Sequence, residues 1–389
     1  KGTAGSNYDG NSLQYEGVPF GPTDFHGHES CPTANLEISN YDDPTQARNC
    51  RLVGLRDLNQ GKDYVREKQA AFLNHLIDIG VAGFRSDASK HMWPADLENI
   101  YSRLHNLNTK FFPANSRPFV YHEVIYYGGN GIKSSEYTKI GRGIEFHYYR
   151  DMGNVFRKHN QQLKFVKNFG EGWGMLPSGD ALVMLDSHDL QRAHTGGFDT
   201  NINFFDSTLL KMATAFMLAW PYGVTRVMSS YNWPRKIEGD HDVNDWEGPP
   251  HDGSYNTLSV KRNADLTCGN GWICEHRWRQ IHNMAKFRNV AGDDPVANWW
   301  DNGSNQIAFS RGNKAFIAIN NDNGPIHQKL HTGLPAGNYC DIISGNLSGG
   351  KCTGKQVTVG SDGTAEISVP NADGKTEDGV IAFHIKSKL

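Results

Sequence analysis

The sequence predicts an α/β fold followed by a separate antiparallel β domain. Between about residue 59 and 293, apolar strand-like runs alternate with stretches of helical periodicity. The cores of those runs are apolar on both faces, as in a parallel sheet covered by helices, so an α/β barrel or a doubly wound sheet is expected. After about residue 293 the pattern changes to short alternating runs joined by turns.

Residues 1 to about 58 are rich in Gly, Asn, Asp and Pro and read as a loop-rich excursion stapled by Cys31 and Cys50. From Asp63 the pattern turns helical, with Val65, Phe72, Leu76 and Ile79 on one face and Gly80 placed to end the helix. "VAGFRSDA" reads as a strand. A second helix follows, with Pro94 in its first turn and Leu97, Ile100, Leu104 and Leu107 on one face. Arg117–Val124 and Gly143–Tyr149 read as strands, and Ala181–Asp189 is apolar up to Leu185 and polar after it. A helix through Leu209 to Trp220 leads to the run Thr225–Tyr231. "NQIAFSRGNKAFIAINN" is two alternating runs about the turn Arg311-Gly312-Asn313, and "YCDIIS", "KQVTVGSDGTAEISV" and "VIAFHI" continue in that style.

Composition narrows the function. The chain has 389 residues, 38% apolar and 21% charged, with a net charge of −3. That balance makes no electrostatic case for nucleic acid or an anionic membrane, and no apolar run approaches a membrane span. The six cysteines fall in local pairs, Cys31 with Cys50, Cys268 with Cys274 and Cys340 with Cys352. Three local disulfides and an oxidising compartment are expected, and no Cys/His spacing supports a metal instead. Asn302-Gly303-Ser304 and Asn346-Leu347-Ser348 are N-glycosylation sequons.

The chemistry gathers at strand ends. In "GFRSDASKH", alternation puts Arg85 and Asp87 on one face and Phe84, Ser86 and Ala88 on the other. The pair lies at the C-terminal end of its strand, where parallel α/β folds build active sites. Glu123 closes the strand "PFVYHEV", and Asp186, His188 and Asp189 close "ALVMLDSHD". One carboxylate at a strand end is an ordinary cap or ion pair; three at equivalent ends, two of them flanked by His or Arg, suit glycoside hydrolysis. One acid must be ionised at the anomeric carbon, and another must hold a proton for the leaving oxygen.

At these residues the sequence resembles the animal-type α-amylases, nearest to the digestive amylases of mites, a group known as allergens. "GFRSDASKHMWPADL", "VYHEV" and "VMLDSHDLQR" resemble three of that family's four conserved segments, in order, and "RNCRLVGLRDL", "TRVMSSY", "DVNDWEGPP", "CEHRWRQI" and "LPAGNYCDIISG" match as well. The resemblance implies a (β/α)8 TIM barrel, a loop-rich B domain and a C-terminal antiparallel β-sandwich. Residues 1–58 would be part of domain B, 59–293 the later part of the barrel and 294–389 domain C. It implies secreted, retaining endo-hydrolysis of α-1,4-glucosidic bonds in starch, glycogen and malto-oligosaccharides by a monomer without nucleic-acid or membrane partners. Asp87 would be the nucleophile, Glu123 the general acid/base and Asp189 the third carboxylate. Arg85, Lys90, His91, His188 and His194 would contact or underlie the substrate. Calcium would take the Asp57 carboxylate and the Arg48 and His91 carbonyls, and chloride would be held by Arg85, Ser187 and Arg226.

The sequence also departs from the family. Its first conserved segment and first three barrel strands are absent, about a hundred residues in a barrel of ordinary size, so these residues alone are expected to be unstable or inactive. Ser86 replaces an apolar residue, His122 a Gln, Ser187 an Asn and Ala193 a Gly. The competing readings are a catalytically inactive homologue or fragment acting as a carbohydrate-binding or antigenic protein, and another hydrolase or transglycosylase of the superfamily.

Overall fold

A computed structural model describes residues 5–129, 131–192, 199–239 and 241–389. The chain forms two compact units, Lys1–Phe146 with Gly179–Leu182, and His147–Ser178 with Val183–Leu389.

The first unit opens with the loop-rich stretch. It carries a two-residue strand pair, Tyr8–Asp9 with Gln14–Tyr15, and a short helix, Pro44–Asn49, whose first turn is capped by the Asp43 carboxylate accepting from Thr45 N–H. The Cys31–Cys50 disulfide closes it. The helix Asp63–Asp78 follows; Val65 is buried as expected, but beyond it the buried positions are Ala70 and Ile77, with Leu73 partly buried. Phe72 and Ile79 are each 62% exposed. Phe72 lines an open groove of about 250 Å³ with Phe84, Leu97 and Tyr101.

The second helix is also shorter than its apolar spacing predicts. It spans Pro94–Ser102, and Leu104 and Leu107 are buried beyond its end. Arg117 donates to the Tyr101 carbonyl at 2.9 Å and the Leu104 carbonyl at 2.6 Å, which satisfies this helix end without another turn.

Strands Gly83–Ser86, Phe119–His122, Arg142–Ile144 and the start of Ala181–Val183 pair in parallel, in that order. The register sets Arg85 beside Tyr121 and Ser86 beside His122. The expected strand Gly143–Tyr149 is corrected: it ends at Ile144 and a helix runs Phe146–Phe156. Phe146, Tyr149, Met152 and Phe156 are all buried, a spacing of three to four residues that overrides the short strand-like run.

In the second unit the strand Val224–Thr225 leads to Arg226, whose N–H donates to the Val183 carbonyl at 2.8 Å. The expected run Thr225–Tyr231 is therefore strand only at its start. Helices Ser207–Ala219 and Arg279–Ala291 are followed by an antiparallel sheet ordered Val296–Asp301, Gln306–Arg311, Ala315–Asn320, Val380–His384. Its hairpin pairs Gln306 with Asn320 and Arg311 with Ala315, and Gly312 takes the turn at φ +51°. Ile326–His331 pairs with Thr364–Val369, and Gly337–Cys340 with Gln356–Val359. Phe316, Tyr339, Val357, Ile367 and Phe383 pack in one core. The disulfides Cys268–Cys274 and Cys340–Cys352 form as expected. No described helix is long and apolar enough to cross a membrane.

Two arginines close helix ends in this unit. Arg311, 1% exposed, donates at 2.7 Å to the carbonyls of Ala219, Gly292 and Asp294. Arg288 donates to those of Met217, Trp220 and Gly223. Helix C-termini present unpaired carbonyls and partial negative charge, so a buried guanidinium there satisfies both. Replacing Arg311 by Leu strands the buried Ala219 carbonyl and the part-buried carbonyls of Gly292 and Asp294, and we expect a loss of about 1–3 kcal/mol, the cost of one buried unsatisfied group. Urea unfolding measures it, and a loss below about 1 kcal/mol would contradict the capping role.

Candidate active site

The parallel register builds the centre of the first unit. Arg85 lies one residue from the end of its strand, and its side chain shares a face with Asp87 and, across the register, Glu123. The guanidinium pairs with both acids: one terminal nitrogen bonds Asp87, and the other lies 2.6 Å from Glu123 Oε1. Glu123 Oε2 accepts from Ala88 N–H at 3.0 Å, and Glu123 N–H donates to the Ser86 carbonyl at 3.0 Å. The two acids differ in surroundings. The Asp87 side chain is 72% exposed and that of Glu123 12%. One carboxylate is thus open to an incoming ligand, while the other is enclosed and held by two donors, Arg85 and Ala88 N–H, with its backbone N–H tied to the Ser86 carbonyl. Burial opposes the charge on Arg85, but the Asp87 hydrogen bond and the two carboxylates outweigh it and raise the arginine pKa.

Lys90 and His91 follow in a short helical turn. Lys90 reaches the Ile125 carbonyl at 3.4 Å, and burial lowers its pKa. His91 Nδ1 lies 2.8 Å from the Ala47 carbonyl, and burial lowers its pKa as well, favouring a neutral ring. This contact ties the turn to the helix Pro44–Asn49, which carries Arg48. The Arg48 side chain is buried over the rings of Trp93 and Tyr137 and pairs with Glu136 at 2.8 Å.

Asp57 is held in the same unit by a residue that sequence reasoning missed. His26 Nδ1 lies 2.7 Å from its Oδ2. Burial raises the Asp57 pKa, against the pull of His26 and His91. A half-buried carboxylate suits a hard cation, which takes carboxylate and carbonyl oxygens. Among the described residues no group of three or more His, Cys, Asp or Glu side chains could hold a metal, so a calcium site here would depend on main-chain oxygens. No periodicity marks His26; only its position in "DFHGHES" near the cysteine loop offered a signal.

The second unit holds the other predicted residues. His188 Nε2 lies 3.3 Å from Asp189 Oδ2. Ser187 is buried, and its Oγ accepts from Leu190 N–H at 3.2 Å, leaving a hydroxyl hydrogen to donate elsewhere. Arg226 points its Nη2 at Met184 Sδ. His194 and Ala193 lie outside the described residues.

Beside this group is a buried acid whose partner was also missed. Asp186 is 4% exposed; Asn201 Nδ2 donates to its Oδ1 at 3.3 Å, and Oδ2 has no partner. Glu275, 1% exposed, accepts from Ser230 N–H at 2.6 Å and from the Ser230 hydroxyl. Both acids line one small cavity with Arg226. Burial raises the Asp186 pKa well above the usual carboxylate range, with the Glu275 charge adding to it. A folded pKa above the unfolded one means that the unfolded chain ionises first as pH rises. Asp186 therefore destabilises the fold increasingly from about pH 4 upward, until it ionises in the native state. Asp186→Asn removes that term, so the variant should gain stability relative to the parent between pH 4.5 and 7.5. Urea unfolding at both pH values tests this, and an unchanged or opposite difference would count against a protonated Asp186.

Comparison with known proteins follows the same lines. A family model described as the α-amylase C-terminal all-beta domain matches residues 297–386. The chain is 67% identical to the α-amylase of Acarus siro over 95% of its length and 71% of that protein. It is 64% identical to the α-amylase of Dermatophagoides pteronyssinus over 100% of its length and 78% of that protein. It is 54% identical to human α-amylase 1B over 100% of its length and 75% of that protein. Among solved structures, α-amylase I of Eisenia fetida in a maltohexaose complex aligns at TM-score 0.92 and 52% identity, covering 98% of this chain and 77% of that one.

Proposed function

The chain belongs to the α-amylase family and is a starch-hydrolysing glycoside hydrolase, and from that premise we propose that Asp87 and Glu123 carry out retaining endo-hydrolysis of its α-1,4 bonds. The observation that carries this reading is the single Arg85 guanidinium bonded to both acids at neighbouring strand ends. It holds the carboxyl groups close together, as a retaining pair about 5 to 5.5 Å apart requires. In the first step the Asp87 carboxylate forms a bond to the anomeric carbon. The bond from that carbon to the glycosidic oxygen breaks with its electron pair going to the oxygen, which takes the Glu123 proton. In the second step Glu123 takes a proton from water as the water attacks the same carbon and Asp87 leaves. The exposure of Asp87 and the enclosure of Glu123 support the division of roles. Asp189 is the third carboxylate, steadying the sugar, and Lys90, His91, His188 and His194 contact the substrate.

The parallel strands fit part of a (β/α)8 barrel, with 1–58 in domain B, 59–293 in the barrel and 294–389 as a β-sandwich domain C. Asp57 with the Arg48 and His91 carbonyls would hold calcium, which would stabilise the turn carrying Lys90 and His91. Chloride would be held by Arg85, Ser187 and Arg226, and a bound anion there would keep the acid protonated to higher pH. Starch, glycogen and malto-oligosaccharides are the substrates, acted on by a secreted monomer; the three disulfides suit an oxidising compartment.

Two outcomes test the reading. In the full-length protein, Glu123→Gln should lower kcat on starch by about 10²–10⁴-fold, the usual worth of a general acid, and Asp87→Asn by at least as much, with far-UV circular dichroism unchanged. Near-parental turnover by either folded variant would refute the assignment. Chloride should raise activity at constant ionic strength, and Ser187→Asn, with a longer amide donor, should lower the half-saturating chloride concentration. A flat chloride response would remove the ion and leave Arg85 and Arg226 with structural roles.

A further inference from the structure

We infer that a buried hydrogen-bonded chain, Ser86–Ser89–His122, positions the Glu123 carboxyl group for proton donation, making Ser89 and His122 positioning residues of the hydrolysis. The inference rests on Glu123 being the acid.

The side chains of Ser86 and His122 share the sheet face opposite Arg85 and Glu123. That face is mostly apolar, with Phe84 and Val120 on the strands and Leu97 and Ile100 on the covering helix, and Gln69 lines the same groove. Polar groups in such a layer cost stability unless each is paired. Here they pair with one another. Ser89 Oγ lies 2.8 Å from Ser86 Oγ, 2.9 Å from the Ser86 carbonyl oxygen and 3.0 Å from His122 Nδ1. The His122 ring sits between Tyr101 and Tyr137 at centroid distances of 5.7 and 5.8 Å. Ser89 and His122 are both 0% exposed. Ser89 has one hydroxyl hydrogen; given to the Ser86 carbonyl, it leaves Ser89 Oγ to accept from the Ser86 hydroxyl and from His122 Nδ1–H. No hydrogen bond of ordinary geometry reaches Nε2, and the ring is closed in there by Gly141, where a Cβ would come 2.8 Å from Nε2 and 2.8 Å from the Val120 carbonyl.

The chain stays neutral at working pH. Burial lowers the His122 pKa to about 4. Its role is therefore geometric. Ser86 and Ser89 bracket Asp87 and Ala88. The Ser86 carbonyl accepts from both Ser89 Oγ and Glu123 N–H, and Ala88 N–H holds Glu123 Oε2. Ala88 sits at φ +48°, a left-handed conformation that a residue with a Cβ adopts only when its surroundings impose it. The Ser89 contacts impose it from one side and His122, next to Glu123, anchors them. Releasing this turn moves the donor that orients the acid while leaving the Arg85 pairs in place.

Leaving-group dependence tests the idea in the full chain. A malto-oligosaccharide needs its leaving oxygen protonated; a dinitrophenyl malto-oligosaccharide does not, and kcat/KM reports the first bond-breaking step for each. Ser89→Ala and His122→Leu should lower kcat/KM on the oligosaccharide by about tenfold or more and on the dinitrophenyl substrate by less than about threefold, within the range of a misplaced general acid. His122→Gln, which keeps a polar partner for Ser89, should recover most of the loss and serves if His122→Leu fails to fold. Parallel losses on both substrates, or no loss in folded variants, would overturn the inference. Glu123→Gln is the control. Discrimination between the substrates in Glu123→Gln but not in Ser89→Ala rejects the positioning chain alone, whereas no discrimination in Glu123→Gln rejects the acid assignment and this inference with it.

Discussion

The Arg85 guanidinium is the contact on which the proposed catalytic centre depends. Two carboxylates on adjacent strands repel each other, and an arginine between them offsets that repulsion while fixing both in one plane of reach. The geometry exists only because the strands are parallel and in this register, with Arg85 beside Tyr121. A shift by one residue would turn Glu123 to the helix side, where His122 now lies, and would separate it from Asp87.

The same principle recurs wherever this chain buries charge. Arg311 and Arg288 sit at helix ends, where carbonyl oxygens lack partners, and burial lowers the Arg311 pKa only to about 10, so it stays charged. Arg48 is buried between two aromatic faces with one carboxylate. Asp186 has an amide donor at one oxygen and no partner at the other, and burial pushes its pKa well above the usual carboxylate range. Paired buried charge organises these units, and unpaired buried charge neutralises instead.

Much of the centre was legible in the sequence. Arg85, Asp87 and Glu123 fall at ends of apolar runs, and alternation alone places the first two on one face. The cysteine pairs and the hairpin about Gly312 were legible because both are local: a short separation or a turn residue decides them. Tertiary contacts overrode local pattern elsewhere. The run Gly143–Tyr149 satisfies a strand template over a few residues, yet burial of Phe146, Tyr149 and Met152 makes it a helix. In Asp63–Asp78 the buried stripe is set by what the helix meets, so Phe72 and Ile79 are outside it.

By itself the sequence determined the residue types at the strand ends and the local disulfides, since each rests on spacing along the chain. Only the tertiary structure decided that one guanidinium serves both acids, that His26 holds Asp57, that Glu275 lies near Asp186, and that Ser89 bonds His122. These partners stand 31 to 89 residues apart or arise from a strand register. No periodicity spans such distances; they follow from which surfaces bury together, and a polar side chain finds its partner only after that burial is settled.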